Sequence, residues 1–181
     1  MQPLEIIKKY YRVDSVAYAI LVEHSEMVAK KSLEIAHGLK HATPDLAFIE
    51  EAAMLHDIGI CMTQDPRLGC HGEKDYICHG YLGRELLERE GLYRHALVCE
   101  RHVGAGLSIE DIREHKLPLP ERDMLPLSIE EKIICFADKF FSKRPGKLHE
   151  ELQPDKVRKQ MAGYGRSQLE RFEEMFRLFI G

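Results

Sequence analysis

An all-α fold is predicted by three observations. Apolar residues recur at helical spacing through most of the 181 residues, no run of alternating β-branched residues sits between turns, and the stretches between periodic segments carry residues that cap or end helices. A short helix is expected over Leu4 to Tyr11, and Asp14 or Ser15 then caps a long one reaching about Gly38. Thr43-Pro44-Asp45 sets a cap, a first-turn proline and an acidic residue at the start of a third helix, which contains AAMLHDIGI, Ala52 to Ile60.

From Met62 to Ile77 the periodicity is lost, and Pro66, Gly69 and Gly72 mark a loop placed where a lid would sit. Two helices follow, about Gly80 to Glu90 and Tyr93 to Val103, separated by Gly91 and ended by Gly104-Ala105-Gly106, whose glycines let main chain come close to a ligand. Ser108 to Asp111 and Ser128 to Glu131 read as capping boxes, with the proline-punctuated connector Lys116 to Pro126 between them. The second box opens the apolar helix IEEKIICFADKFFS, which ends at Ser142. RSQLERFEEMFRLFI, Arg166 to Ile180, is amphipathic and closes the core with Leu169, Phe172, Met175, Phe176 and Phe179. One domain is expected over residues 1–181, with its core at about 14–143 and a C-terminal helical extension at about 154–180.

A hydrophobic fraction of 44% with 31% charged residues describes an ordered globular chain. The net charge of −4 with interleaved signs argues against duplex nucleic acid as a partner. No apolar stretch reads as a signal peptide or a membrane span, which places the chain in the cytoplasm. The five cysteines (Cys61, Cys70, Cys78, Cys99, Cys135) form no C-x-x-C pair and suit reduced thiols. The alternative, a zinc cluster from Cys61, Cys70-His71 and Cys78-His79, matches no common ligand spacing.

The chemistry lies in polar residues on apolar faces. His24 falls on the stripe Ala17, Leu21, Val28, Ile35; His56 and Asp57 lie on or beside the face of Ile49, Ala52, Ala53 and Ile60; Asp138 stacks between Ile134 and Phe141. A buried carboxylate costs several kcal/mol, roughly, unless it is paired or bound to a metal. Nothing basic sits on those stripes to neutralise Asp57 and Asp138, so a divalent cation is the expected partner. His79, which opens the helix after the loop, and His102, at the end of a helical face, fit the same picture. The other histidines, His37, His41, His71, His95, His115 and His149, lie in polar or loop settings and read as solvated, with His71 in the expected lid as the exception to watch.

The ordered set His24, His56-Asp57, His79, His102 and Asp138 resembles the HD-domain superfamily of metal-dependent phosphohydrolases. LHDIG, Leu55 to Gly59, matches its signature, and FADKF, Phe136 to Phe140, is similar to its closing aspartate motif. The resemblance implies an HD-domain helical bundle in which His24, His56, Asp57 and Asp138 hold one metal. It also implies that His79 and His102 add a second, with Asp57 bridging the pair. LSIEEKIICFADKF is similar to the corresponding region of bacterial HD enzymes that hydrolyse dinucleoside polyphosphates. Many relatives carry a lysine directly after HDIG, whereas this chain has Ile60, and LVEHS lacks an upstream arginine. Phosphate recognition is therefore expected from Arg101, Lys139, Lys143 or Arg144.

These implications describe a hydrolase that cleaves a phosphoester or phosphoanhydride of a small, nucleotide-type substrate with a metal-bound hydroxide. Asp57 and His56 stand at the centre of that chemistry, with Fe, Mn, Co or Zn, two per chain, as the cofactor. A homodimer is compatible with the amphipathic C-terminal stripe. Two other functions fit the same ligand set: an HD-fold diiron oxygenase, and a non-catalytic nucleotide- or metal-binding sensor. The loops Met62 to Ile77 and Lys116 to Pro126 are expected to read the substrate, and His71 is a candidate acid for the leaving group.

Overall fold

The computed structural model describes every residue from Met1 to Gly181. Its helices are α1 (Pro3–Tyr10), α2 (Val16–Gly38), α3 (Leu46–Leu55), α4 (His79–Arg89), α5 (Tyr93–Arg101), α6 (Ile109–Glu114), α7 (Ile129–Asp138), α8 (Pro154–Tyr164) and α9 (Arg166–Phe179). The only sheet is an antiparallel ribbon of β1 (Gln64–Asp65) and β2 (Cys70–His71). The fold is all-α, and no helix is long and apolar enough to cross a membrane.

Capping decides where the helices begin. The Ser15 hydroxyl accepts from the Tyr18 N–H and starts α2, and Asp45 accepts from the Phe48 N–H and starts α3. Pro44 therefore precedes the cap instead of occupying the first turn, because the Asp45 side chain takes the capping role assigned to Thr43. At α6 the box is complete, since Ser108 accepts from the Asp111 N–H while the Asp111 carboxylate accepts from the Ser108 N–H. At α7 only half of it forms. Ser128 accepts from the Glu131 N–H, but the Glu131 carboxylate is turned to the Leu127 N–H and Arg101.

Two apolar clusters build the core. Val28, Ile49, Ala52, Ile133, Phe136 and Phe172 bind α2, α3, α7 and α9 together. Ile7, Ile20, Leu21, Leu55, Ile58, Leu87 and Cys99 join α1, the first half of α2, α4 and α5. His56 and Asp57 lie at the seam, between Ala53 of the first cluster and Leu55 and Ile58 of the second.

Helix α7 stops at Asp138, earlier than the apolar run to Ser142 suggested. The N–H groups of Lys139, Phe140 and Phe141 bond three residues back, to Phe136, Ala137 and Asp138. This tight last turn breaks the helical register, so Lys143 returns toward the site instead of continuing along the helix.

The segment expected to form a lid is packed down. Gly69 lies against the start of α2, where an added Cβ would be 3.3 Å from the Ala17 nitrogen, and Gly72 lies against the Met62 carbonyl. His71 is exposed on β2.

The C-terminal pair α8–α9 is anchored to the rest of the molecule by Asp111. Its carboxylate accepts from the Ser167 hydroxyl at 2.6 Å and from Arg171 as well as from its own cap N–H. Burial alone would raise this carboxyl, but Ser167, the Ser108 N–H and Arg171 outweigh it and hold the group below the ordinary aspartate range. A lowered native pKa contributes stability that is present above the unfolded value, near 4, and is lost as pH falls through the native value. Asp111→Asn is therefore expected to flatten the acid limb of the stability curve while changing stability less at pH values below the native pKa of Asp111. Chemical denaturation across pH measures this, and an unchanged acid limb would contradict the anchoring role.

Candidate metal centre

Five helices deliver six side chains to one point. His24 comes from α2, His56 and Asp57 from the turn that ends α3, His79 from the first position of α4, His102 from the residue after α5, and Asp138 from the last position of α7. All six are buried. Helix α3 ends at Leu55, and Asp57 has left helical geometry, with φ −106 and ψ 9. The adjacent His56 and Asp57 side chains thereby diverge around a shared centre.

Gly59 allows that centre to be assembled. A Cβ there would lie 2.1 Å from the His79 carbonyl and 2.4 Å from the Gly83 nitrogen, so only glycine lets α4 press onto the turn carrying Asp57. The glycines after His102 also serve packing: a Cβ on Gly104 would lie 2.4 Å from the Gln168 amide oxygen and one on Gly106 2.6 Å from Pro126, each at positive φ, while Gly104 lines the cleft into which the centre opens.

The two carboxylate oxygens of Asp57 face different partners. Oδ2 lies 3.3 Å from His24 Nε2 and 3.1 Å from His56 Nε2. Oδ1 lies 3.4 Å from His79 Nε2 and 3.3 Å from His102 Nε2. Asp138 Oδ1 completes the first group, 3.0 Å from His24 Nε2 and 3.4 Å from His56 Nε2. The result is two groups of mutually close ligand atoms, His24–His56–Asp57–Asp138 and Asp57–His79–His102, sharing Asp57.

Main-chain carbonyls set the ring orientations. His56 Nδ1 donates to the Ala53 carbonyl at 2.6 Å, His79 Nδ1 to Tyr76 at 2.6 Å and His102 Nδ1 to Cys99 at 2.7 Å. A carbonyl only accepts, so in each ring Nδ1 carries a hydrogen and Nε2 is the atom left facing the centre, the outer-shell arrangement of metal-bound histidines. His79 Nε2 and His102 Nε2 then face one another at 3.1 Å, two acceptors with nothing to share between them. Neither Asp57 oxygen, nor His56 Nε2, has a hydrogen bond of acceptable geometry. A cation would satisfy these converging buried acceptors, so the residues present fit a metal.

The two groups differ electrostatically. Burial drives His79 down to about 3, despite Asp57, and lowers His102 as well, so both rings are neutral at pH 7. For His56 burial pushes the same way but is overcome by Asp57 and Asp138, which raise it to about 9. A cation in the first group must displace that proton. Asp57 and Asp138 are held well below the ordinary aspartate range against their burial, Asp57 by His56 and Lys143 and Asp138 by Lys139 and Lys143.

Two lysines correct the expectation that nothing basic reaches these carboxylates. Lys143 Nζ lies 2.7 Å from Asp57 Oδ2, and Lys139 Nζ lies 2.7 Å from Asp138 Oδ2 and donates to the His102 carbonyl at 3.0 Å. Neither belongs to an inward stripe; both arrive through the turn after α7, which periodicity does not describe.

The centre opens into a cleft of about 560 Å³, which Lys139 and Lys143 line together with His79, His102 and Asp138. Arg101 and Arg144 do not line it. Arg101 is engaged by Glu131 at 2.9 Å, and Arg144 is exposed elsewhere on the surface. His71 is outside the cleft as well, which removes it as an acid for the leaving group. Of the two expected specificity loops only Tyr76, Ile77 and Leu117 reach the lining. The opposite wall comes from α8 and α9 through Gln160, Met161, Tyr164 and Gln168. The amphipathic stripe of α9 signalled burial but carried no sign of which surface it would wall.

All five cysteines are free thiols with pKa values raised by burial, Cys70 and Cys135 to about 11. None joins a metal group, so the Cys61–Cys70–Cys78 alternative is not formed.

The family model of the HD domain matches residues 21–142. The chain belongs to the HD domain family. This places the protein in a superfamily of metal-dependent phosphohydrolases. An uncharacterized protein of Methanocaldococcus jannaschii is 35% identical over 147 residues, covering 71% of this chain and 79% of that protein. The HD chain is also similar to two proteins named tRNA (cytidine(56)-2'-O)-methyltransferase. The one from Thermoplasma volcanium is 31% identical over 140 residues, with 77% of this chain and 35% of that protein covered. The one from Picrophilus torridus is 32% identical over 124 residues, with 68% of this chain and 32% of that protein covered. The chain thus spans about a third of the length of each methyltransferase-named relative. No solved structure matches the chain significantly.

Proposed function

We propose that this HD domain hydrolyses a phosphoester or phosphoanhydride of a small nucleotide-type molecule, with two divalent cations of Mn, Fe, Co or Zn. The observation that carries the reading is the division of Asp57, whose two oxygens each face a separate histidine-lined group at the floor of an open cleft. His24, His56, Asp57 and Asp138 would hold one cation, and His79 and His102, with Asp57, the other. When bound, such cations neutralise phosphoryl charge and generate a nucleophile from water at neutral pH. A ligand set of imidazole and carboxylate without thiolate suits these metals.

The chain's own residues supply position and charge. The Ala53, Tyr76 and Cys99 carbonyls keep three Nε2 lone pairs aimed at the centre through each turnover. Lys139 is committed to Asp138 and the His102 carbonyl, where it ties the end of α7 to the end of α5. Lys143 is relieved of neutralising Asp57 once a divalent cation is held there, and its ammonium is then free for a phosphoryl oxygen in the cleft. It would fill the role of the lysine that this chain lacks at Ile60. The methyl transfer named for the two longer relatives is not carried over, because the shared segment is about a third of each.

Lys143→Met is expected to raise KM about ten-fold or more, the cost of losing a charge-assisted hydrogen bond, while metal content is retained. Loss of metal with unchanged KM would contradict this assignment. The function itself is tested by phosphate and nucleotide release from a broad phosphoester panel with Mn²⁺ or Fe²⁺ supplied. Release from nucleotide substrates supports the reading, and silence across the panel with metal bound overturns it.

A further inference from the structure

The reactive end of the cleft is accounted for by the metal groups and Lys143, but its far wall is not. That wall is fastened rigidly to the core. Gln168 accepts from the Ala105 N–H and donates to the Gly106 carbonyl, both at 2.7 Å, and Asp111 is occupied by Ser108, Ser167 and Arg171. The polar groups of Gln168 and Asp111 are thus spent on the fold. Three other lining residues, Tyr164, Gln160 and His115, are exposed at the cleft surface, with Tyr164 62% exposed although it is a large aromatic ring. The same lining carries the apolar Leu117, Met161 and Phe141.

This combination has a chemical complement. A free inorganic phosphate or a bare sugar phosphate has nothing to set against an apolar floor and an exposed ring. A planar heteroaromatic group does, because its face stacks on tyrosine and its edge pairs with an amide offering a donor and an acceptor side by side. The cleft thus combines phosphate-directed groups with this amphipathic lining, and about 560 Å³ is a usual size for a small-ligand site.

Resting on the phosphohydrolase reading above, we propose that the α8–α9 wall is a nucleobase platform, with Tyr164 as the stacking ring and Gln160 and His115 facing the base edge. It makes the C-terminal pair, outside the 21–142 segment matched by the family model, the part of the chain that selects the substrate.

The test separates this platform from the reaction. Wild type, Tyr164→Ala, Tyr164→Phe and Gln160→Ala are compared on nucleotide substrates and on glycerol phosphate, which has no ring. Binding of nucleoside 5'-monophosphates is measured by calorimetry. Tyr164 is a surface side chain, so its truncation leaves the fold intact. Expected for Tyr164→Ala is a rise of about ten-fold in nucleotide KM and in monophosphate Kd. Its kcat is retained, glycerol phosphate kinetics are unchanged, and Tyr164→Phe restores the affinity. Equal kcat/KM for ringed and ringless substrates, with no effect of Tyr164→Ala, overturns the platform and leaves the phosphohydrolase standing. No turnover of any phosphoester, together with monophosphate binding that weakens in Tyr164→Ala, supports the platform while ending the hydrolase reading. No monophosphate binding by the metal-loaded wild type overturns it.

Discussion

Asp57→Ala is expected to remove bound metal and turnover together, lowering phosphate release by about three orders of magnitude or more. The expectation follows from the position of one side chain in both ligand groups. Oδ2 serves the group with His24 and His56, and Oδ1 serves the group with His79 and His102. Truncation leaves the first group with a single carboxylate and the second with two neutral imidazoles whose Nε2 atoms face one another at 3.1 Å. It also leaves Lys143 without its nearest counter-charge, so some loss of stability accompanies the change. Asp57→Asn keeps the shape and isolates the chemistry. Its fold, followed by circular dichroism, should survive while metal and activity are lost. Retention of both in either variant would contradict the bridging role.

The second large effect is structural. Phe172→Ala is expected to cost about 3–5 kcal/mol, the range for removing a fully buried aromatic ring, and to lower Tm by about 10 °C. Phe172 is 0% exposed and stacks on Phe136 at 5.3 Å, on the helix that ends in the ligand Asp138. The same ring secures α9, which walls the cleft. Thermal and chemical denaturation measure the cost. A change below about 1 kcal/mol would show that α9 is not part of the cooperative core.

Side-chain period was enough to find part of the buried His/Asp cluster that the structure brings together. His24, Asp57 and Asp138 were visible because helical spacing put a polar group where an apolar one belongs, and the structure buries each of them. His79 and His102 were weaker signals, since both stand at helix ends where period is undefined, and they entered mainly through the resemblance to the HD superfamily. The caps at Ser15, Ser108 and Ser128 were legible for the same local reason: the side chain that starts a helix is near in sequence to the N–H it satisfies.

What escaped depended on long-range geometry. Lys143 reaches Asp57 only because α7 stops at Asp138 and the chain turns back, and an apolar run to Ser142 gave no sign of that stop. That Gly104 and Gly106 also make room for Gln168 and Pro126 was not legible, because those neighbours lie far away in sequence. Loss of period from Met62 to Ile77 indicated a loop, but not that the loop would be pinned against α2 with His71 outside the cleft. For α9, an apolar stripe shows that a face is covered and is silent about which site its other residues border.

The most direct test of the account is phosphate release from a nucleotide substrate by wild type and Asp57→Asn, each with and without added Mn²⁺ after chelation. The account predicts release by the wild type only when Mn²⁺ is restored and none by the variant under either condition; release by the chelated wild type, or by metal-supplied Asp57→Asn at the wild-type rate, would contradict it.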